Sequence, residues 1–304
     1  MSKEEREKKE SYIFEWLLAI IVVITICIGS YESYTQRYIP DHSILSFMHR
    51  IGYLKGYPVV YEPSKGIWHS VGWTGTGMMV VMMLYSVRKR VGGLRSFGSL
   101  RHWLSAHMFL GIMGPILVTF HTTFKFNGII ATSFWSMIIT MVFGILGRYI
   151  YIQIPRSLAG TELRVQDIER MVQTIDSRLG EFSKGVNVSE LCKAIDIREK
   201  GPEETGWLKS LLLMLRDDIV ISYRLRKLDS LLRKTHHLPW KVRKKIDFLI
   251  RKKAAFTRRK NYLSTSHKIL HYWHIFHVPL AIVMFLIMIL HVFVYYLFRT
   301  THVV

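Results

Sequence analysis

Cysteine is scarce: the 304 residues include only two, Cys27 and Cys192. Cys27 lies in an apolar run and Cys192 in a polar stretch, so no disulfide is expected between them. No Cys-x-x-Cys-His occurs, which excludes covalently attached c-type haem. Four clustered thiolates for an iron–sulfur cluster are missing as well. There is no Gly-x-Gly-x-x-Gly fingerprint, Walker loop, zincin motif or Ser/His/Asp set, so nothing indicates a nucleotide site or a hydrolase. Acidic residues are also few, 22 against 42 lysines and arginines, for a formal charge of +20. Nucleic-acid binding is one reading of such a balance. The placement of the charges favours another, the cytoplasmic loops of a membrane protein.

Half of the residues are hydrophobic, and several apolar stretches run unbroken. A bilayer core of about 30 Å needs roughly 20 apolar residues per spanning helix. Five spans follow: Ile13 to Ser30, Ile67 to Tyr85, Trp103 to Thr123, Ile129 to Ile152 and Trp273 to Phe298. The sequence after the first ten charged and polar residues lacks a small-residue cleavage site, since Ile28-Gly29-Ser30-Tyr31 is a poor one. The first run is therefore expected to be a retained helix.

Charge placement sets an orientation. The connector between the second and third spans carries Arg88, Lys89, Arg90, Arg95 and Arg101 with no acid and is expected inside. The turn from His121 to Gly128 carries only Lys125 and is expected outside. The segment Gln153 to Tyr272 holds 26 lysines and arginines and is expected inside. The N-terminus is then inside and the C-terminus outside, most simply in a bacterial cytoplasmic membrane. The expected organisation is all-α: membrane helices one to four over 1–152, a soluble helical insert over 153–266, and a fifth membrane helix over 267–304. Within the insert, apolar residues recur at helical spacing from Thr161 to Gly180, Leu208 to Leu231 and Val242 to Phe256. Ser189 is a candidate cap for a further helix. Gly185, Gly201-Pro202 and Leu238-Pro239 read as breaks.

Ionisable residues inside spans are functional candidates by default. The third span holds His107 and His121, and the fifth holds His277 and His291. Both pairs are fourteen residues apart. Fourteen residues are nearly four helical turns, so each pair shares one face within about 40° and spans roughly 21 Å. In the expected topology His107 and His277 lie at the inner level, His121 and His291 at the outer. Two facing helices would then present two stacked imidazole pairs, a donor set suited to iron. Haem ligation is favoured over four unrelated polar residues because the spacing and depth match. Gly111 and Gly114, between the third-span histidines, permit close backbone approach. Ordinary helix packing explains them equally well. The same applies to Gly144, Gly147, Gly72, Gly75 and Gly77.

These residues resemble the transmembrane cytochrome b core of the ferric reductase and NADPH oxidase superfamily, whose third and fifth spans hold the ligands. The spacing also resembles cytochrome b of quinol–cytochrome c reductases. The stretches Gly147-Arg148-Tyr149 and His274 to Leu280 resemble bacterial cytochrome b-like membrane proteins. The resemblance implies two b-type haems ligated by His107, His121, His277 and His291. It covers the second to fifth spans and not the insert. A sixth span and the flavin and nicotinamide domains have no counterpart here, so the resemblance implies a partner that supplies or collects electrons.

Other residues carry weaker signals. Arg101 and Arg148 suit inner haem propionates, and Arg50 or Arg299 outer ones, since arginine matches carboxylates; interface anchoring is the alternative. His69 suits a third haem, a quinol or one interhelical hydrogen bond. His267, His271 and His274 form a stripe suited to a quinone, to a proton site or, more simply, to an amphipathic helix start. His102, rotated by about 140° from His107, reads as interfacial. His236-His237 and the run Lys241 to Lys260 suit anionic headgroups or an acidic partner.

The functional expectation is transmembrane electron transfer through two haems, each an iron with two histidine ligands. The expected partners are a cytoplasmic flavin or iron–sulfur protein and an external donor or acceptor, with membrane lipid around and no nucleic acid. The alternatives are a quinol oxidoreductase with a quinone site near one haem, and a haem-free scaffold or transporter subunit.

Overall fold

The computed structural model describes residues 3–54, 59–94, 96–98, 100–155, 163–182, 206–235 and 239–301. Among them every regular element is helical. In chain order these are α1 (Lys3–Tyr38), α2 (Ile44–Arg50), α3 (Gly66–Met82), α4 (Leu84–Arg90), α5 (Leu100–His121), α6 (Gly128–Gln153), α7 (Val165–Phe182), α8 (Trp207–Thr235) and α9 (Trp240–Thr301). Among the described residues five helical stretches are long and apolar enough to cross a membrane: Ile13–Tyr38, Gly66–Arg90, His102–His121, Ile130–Gln153 and the apolar part of Trp240–Phe298. Their outward faces are rich in exposed Ile, Leu, Val and Phe, as on α1 from Ile13 to Ile28. A helix apolar all round is suited to a bilayer, where its backbone groups are satisfied internally.

Several helix limits differ from those read in the sequence. α1 continues past Ser30 to Tyr38, because Glu32 and Thr35 are buried rather than solvated. The second span is interrupted: α3 ends at Met82, and the chain breaks at Met83 before resuming as α4. The fifth span is no separate helix. It is the C-terminal part of the 62-residue α9, which also absorbs the expected helix over Val242 to Phe256. No glycine interrupts 240–301, and Pro279 is accommodated within the helix. The expected helix start at Thr161, the cap at Ser189, the breaks at Gly185 and Gly201-Pro202, His236-His237 and Cys192 lie outside the described residues.

The chain forms two compact units, Met1–Ile145 with His277–Val304, and Leu146–Phe276. In the first unit α3 and α5 make the closest approach. A Cβ on Gly75 would stand 2.8 Å from the Gly114 carbonyl oxygen, and one on Gly114 would stand 3.0 Å from the Gly75 oxygen. These two glycines let the backbones touch. Beside them Met79 of α3, Phe134 and Met137 of α6 and Met284 of α9 form a buried cluster. α1 lies against α5, with Gly29 accommodating the Phe120 ring.

The second unit has its own core. Ile175 and Leu179 of α7, Leu228 and Leu232 of α8, and Ile246, Leu249 and Ile250 of α9 pack together. This is the amphipathic pattern of a helical bundle, with the apolar stripes turned inward. Ion pairs cross its helices: Lys253 to Asp176 at 2.6 Å and Arg258 to Asp218 at 2.7 Å. Tyr149 donates to Asp218 at 3.2 Å and Tyr262 donates to Asp217 at 2.6 Å. Truncating the fully buried Ile250 to alanine is expected to destabilise this unit by about 2–5 kcal/mol. Faster limited proteolysis within 163–276, with unchanged insertion of the chain into membranes, is the result to look for.

Candidate functional site: two imidazole-lined cavities

Among the described residues, two cavities of the first unit are lined by histidines from both α5 and α9. The larger, about 240 Å³, is lined by His121 of α5 and His291 of α9, with His69, Gly72, Trp73, Lys125 and Tyr295 among its neighbours. The smaller, about 40 Å³, is lined by His107 of α5 and His277 of α9, with Gly111, Pro115, Thr140 and Gly144. Each cavity therefore receives one histidine from each helix, and each fourteen-residue pair contributes one member to each. The larger is called the outer and the smaller the inner cavity, after the orientation expected from the charge pattern. Met79, Met137 and Met284 line both and are almost completely buried, so a thioether layer separates the two.

The two α5 imidazoles are held alike. His107 Nδ1 lies 3.0 Å from the Met82 carbonyl oxygen, and His121 Nδ1 lies 2.9 Å from that of Trp68. A carbonyl only accepts, so Nδ1 carries a proton in both rings, and in the neutral imidazole Nε2 is then the lone-pair nitrogen. This is the arrangement that orients a metal-binding histidine and raises its basicity. The register is regular. Stepping along α3 from Trp68 to Gly75 to Met82 steps back along α5 from His121 to Gly114 to His107. Each step is seven residues, close to two turns, so all three contacts fall on one seam.

Local sequence explains why these carbonyls are available. The Trp68 oxygen points toward residue 72, as any helical carbonyl points toward residue i+4. A ring that reaches it must lie over that residue. Residue 72 is glycine, and a Cβ there would stand 2.5 Å from the His121 ring. At Met82 the helix is broken instead. The Ser86 amide donates to Met83 at 2.9 Å, which leaves the Met82 oxygen to His107. The break that interrupts the second span is thus part of the site.

The remaining candidates separate. His69 lines the outer cavity, but its Nε2 accepts from the Trp73 indole at 3.0 Å. Its ring sits 5.0 Å from that of Tyr295, an arrangement of a packed hydrogen-bonded histidine. Gly111 and Gly144 line the inner cavity. Gly114 faces Gly75 and Met79, and Gly147 accommodates the Trp273 ring. Arg148 and Gly147 belong to the second unit. The side chains of Arg101 and Arg299 lie outside the described residues, and Arg50 is exposed at the end of α2. The cation that does line the outer cavity is Lys125. Sequence reading used it only as an orientation marker, and a lone lysine in a short turn gives no stronger signal. His267, His271 and His274 are exposed on α9. His102 is exposed too, edge-on to Phe14.

Among the described residues no three His, Cys, Asp or Glu side chains gather around a common point. The inner cavity presents two imidazoles and the outer three, of which His69 already accepts from Trp73; a pair remains in each, the donor number required by a metal already held in a macrocycle. The outer volume approaches the lower end of small-molecule sites, about 300 Å³. The inner volume is well below it. Six methionines, Met79, Met82, Met108, Met137, Met141 and Met284, line that inner space, and methionine repacks readily around a guest. The Thr140 hydroxyl there is buried and finds no hydrogen-bond partner among the described residues, which suits a guest with a polar group.

Fold and cavities together define a class: an all-helical membrane protein with two imidazole-lined cavities stacked along one helical unit. No known protein family, curated protein or solved structure matches the chain.

Proposed function

We propose that this chain is a membrane electron-transfer subunit that holds two b-type haems, one in each cavity, and passes electrons between the two faces of the bilayer. The observation that carries the reading is the matched pair of α5 imidazoles, both donating Nδ1–H to α3 carbonyls and each sharing a cavity with an α9 histidine. Bound haem supplies a one-electron ferric/ferrous couple. The protein supplies the rest. The α5 histidines keep Nε2 deprotonated for iron, the glycines of α3 and α5 hold the seam, and the methionine layer keeps water out between the tiers. Lys125 offers a charge partner to an outer propionate.

The orientation that goes with this reading has the N-terminus and the second unit in the cytoplasm, where a flavin or iron–sulfur protein exchanges electrons with the inner haem. An external donor or acceptor serves the outer one. A reduced-minus-oxidised spectrum of the full chain, expressed with ample haem, is expected to show a b-type signal with about two haems per chain. Absence of any haem absorbance from the purified chain would overturn the proposal and return the fold to a scaffold or transporter role.

Lys125→Met is expected to keep both haems while lowering the potential of one, because removal of a nearby cation favours the ferric state. A redox titration in which neither wave moves would remove Lys125 from the site.

A further inference from the structure

The two α5 histidines share a first hydrogen bond but not what stands behind it. Behind His107 is the carbonyl of a helix break. Behind His121 runs a chain of side chains into α1. Trp68, whose oxygen accepts from His121, donates its indole N–H to Gln36 Oε1 at 2.8 Å. The other end of that amide, Gln36 Nε2, donates to Glu32 at 2.9 Å. A carboxylate accepts and an indole donates, so the Gln36 amide has only one productive orientation. Glu32 is itself pinned. It accepts from the Ser43 hydroxyl and from the amides of Ile44 and Leu45 at 2.9 and 3.2 Å. Glu32, Ser43 and Trp68 are all buried, so the chain is shielded from competing water.

We propose that Glu32 and Gln36 are positioning residues for the outer imidazole pair: by locking Trp68 from α1 they fix its carbonyl against His121 and so set the orientation and basicity of that ring. This rests on the two-haem reading. It adds that the two haems differ electronically by construction, the outer one answering to α1 and the inner one not. A difference in ligand hydrogen bonding is a recognised means of separating haem potentials, and two unequal potentials give a relay a direction. A buried acidic residue on an otherwise lipid-facing helix is costly; on this account its placement serves the outer ligand.

The test uses the full chain in detergent or nanodiscs, as Gln36→Leu and separately as Trp68→Phe, which removes the indole donor but keeps the carbonyl. Spectroelectrochemical titration is expected to show both haems retained, one redox wave shifted in the same direction in both variants, and the other wave unmoved. Two waves that both stay in place, or that move together, would overturn the proposal, as would loss of the inner haem. Should Gln36→Leu fail to accumulate, Trp68→Phe decides alone. A wild-type chain that binds no haem would defeat the two-haem reading instead. In that case the ¹⁵N-histidine spectrum of the same variants still decides the positioning role: only the Nδ1–H resonance of His121 is expected to move, and an unchanged spectrum would end it.

Discussion

Replacing His107 by alanine is expected to lower haem content from about two per chain to about one, and replacing His277 in the same chain to lower it no further. The two imidazoles line one cavity, so the first loss empties it and the second has nothing left to remove. Combining His107→Ala with His291→Ala crosses the cavities and is expected to abolish haem altogether. Residues that act as a unit are non-additive while independent sites add, so the double variants read the pairing directly. Pyridine haemochrome quantification against protein concentration measures it. If the cross-cavity pair retains as much haem as the same-cavity pair, the two-tier arrangement is wrong, whatever the single variants do.

The second large effect concerns the seam between α3 and α5. Gly75→Leu is expected to remove both haems. The new side chain meets the Gly114 carbonyl oxygen at 2.8 Å from its Cβ, and a backbone oxygen has no rotamer into which to retreat. Overpacking of this kind costs roughly 1–3 kcal/mol when the structure can adjust. Here the adjustment separates α3 from α5, and both α5 histidines take their carbonyl from α3. Gly72→Ala acts more locally, pressing on the His121 ring at 2.5 Å, and is expected to cost the outer haem alone. Gly77 supplies the control. A Cβ there meets nothing within 4 Å, so Gly77→Leu is expected to leave both haems in place. Equal haem content in the Gly75 and Gly77 variants would show that the seam does not hold the site.

Much of the architecture was legible before any coordinates. The apolar runs announced helices, because twenty residues without a charge leave few alternatives to a spanning helix. The apolar spacing at Ile168 and Ile175 marked the buried face of α7, since a 3.6-residue period repeats on one side. Helix limits were less legible. Nothing in the run Met82-Met83-Leu84 signals a break, and the fusion of the fifth span with the second unit's last helix leaves no mark beyond the absence of glycine. The site was legible in part. Fourteen-residue spacing places His107 and His121 on one face by helix geometry alone, and the same holds for His277 and His291.

What the sequence determined by itself is therefore what depends on neighbours along the chain: helical class, the apolar lengths, the facing of each histidine pair and the excess of positive charge. Tertiary structure decided what depends on contacts between distant segments. These are the Trp68 and Met82 carbonyls that fix two imidazole tautomers, the role of Gly72 beneath the His121 ring, Lys125 at the outer cavity and the link from Glu32 through Gln36 to Trp68. A carbonyl has no side-chain signature, and hydrogen bonds between residues 25, 32 and 53 positions apart exist only once the helices have chosen their register.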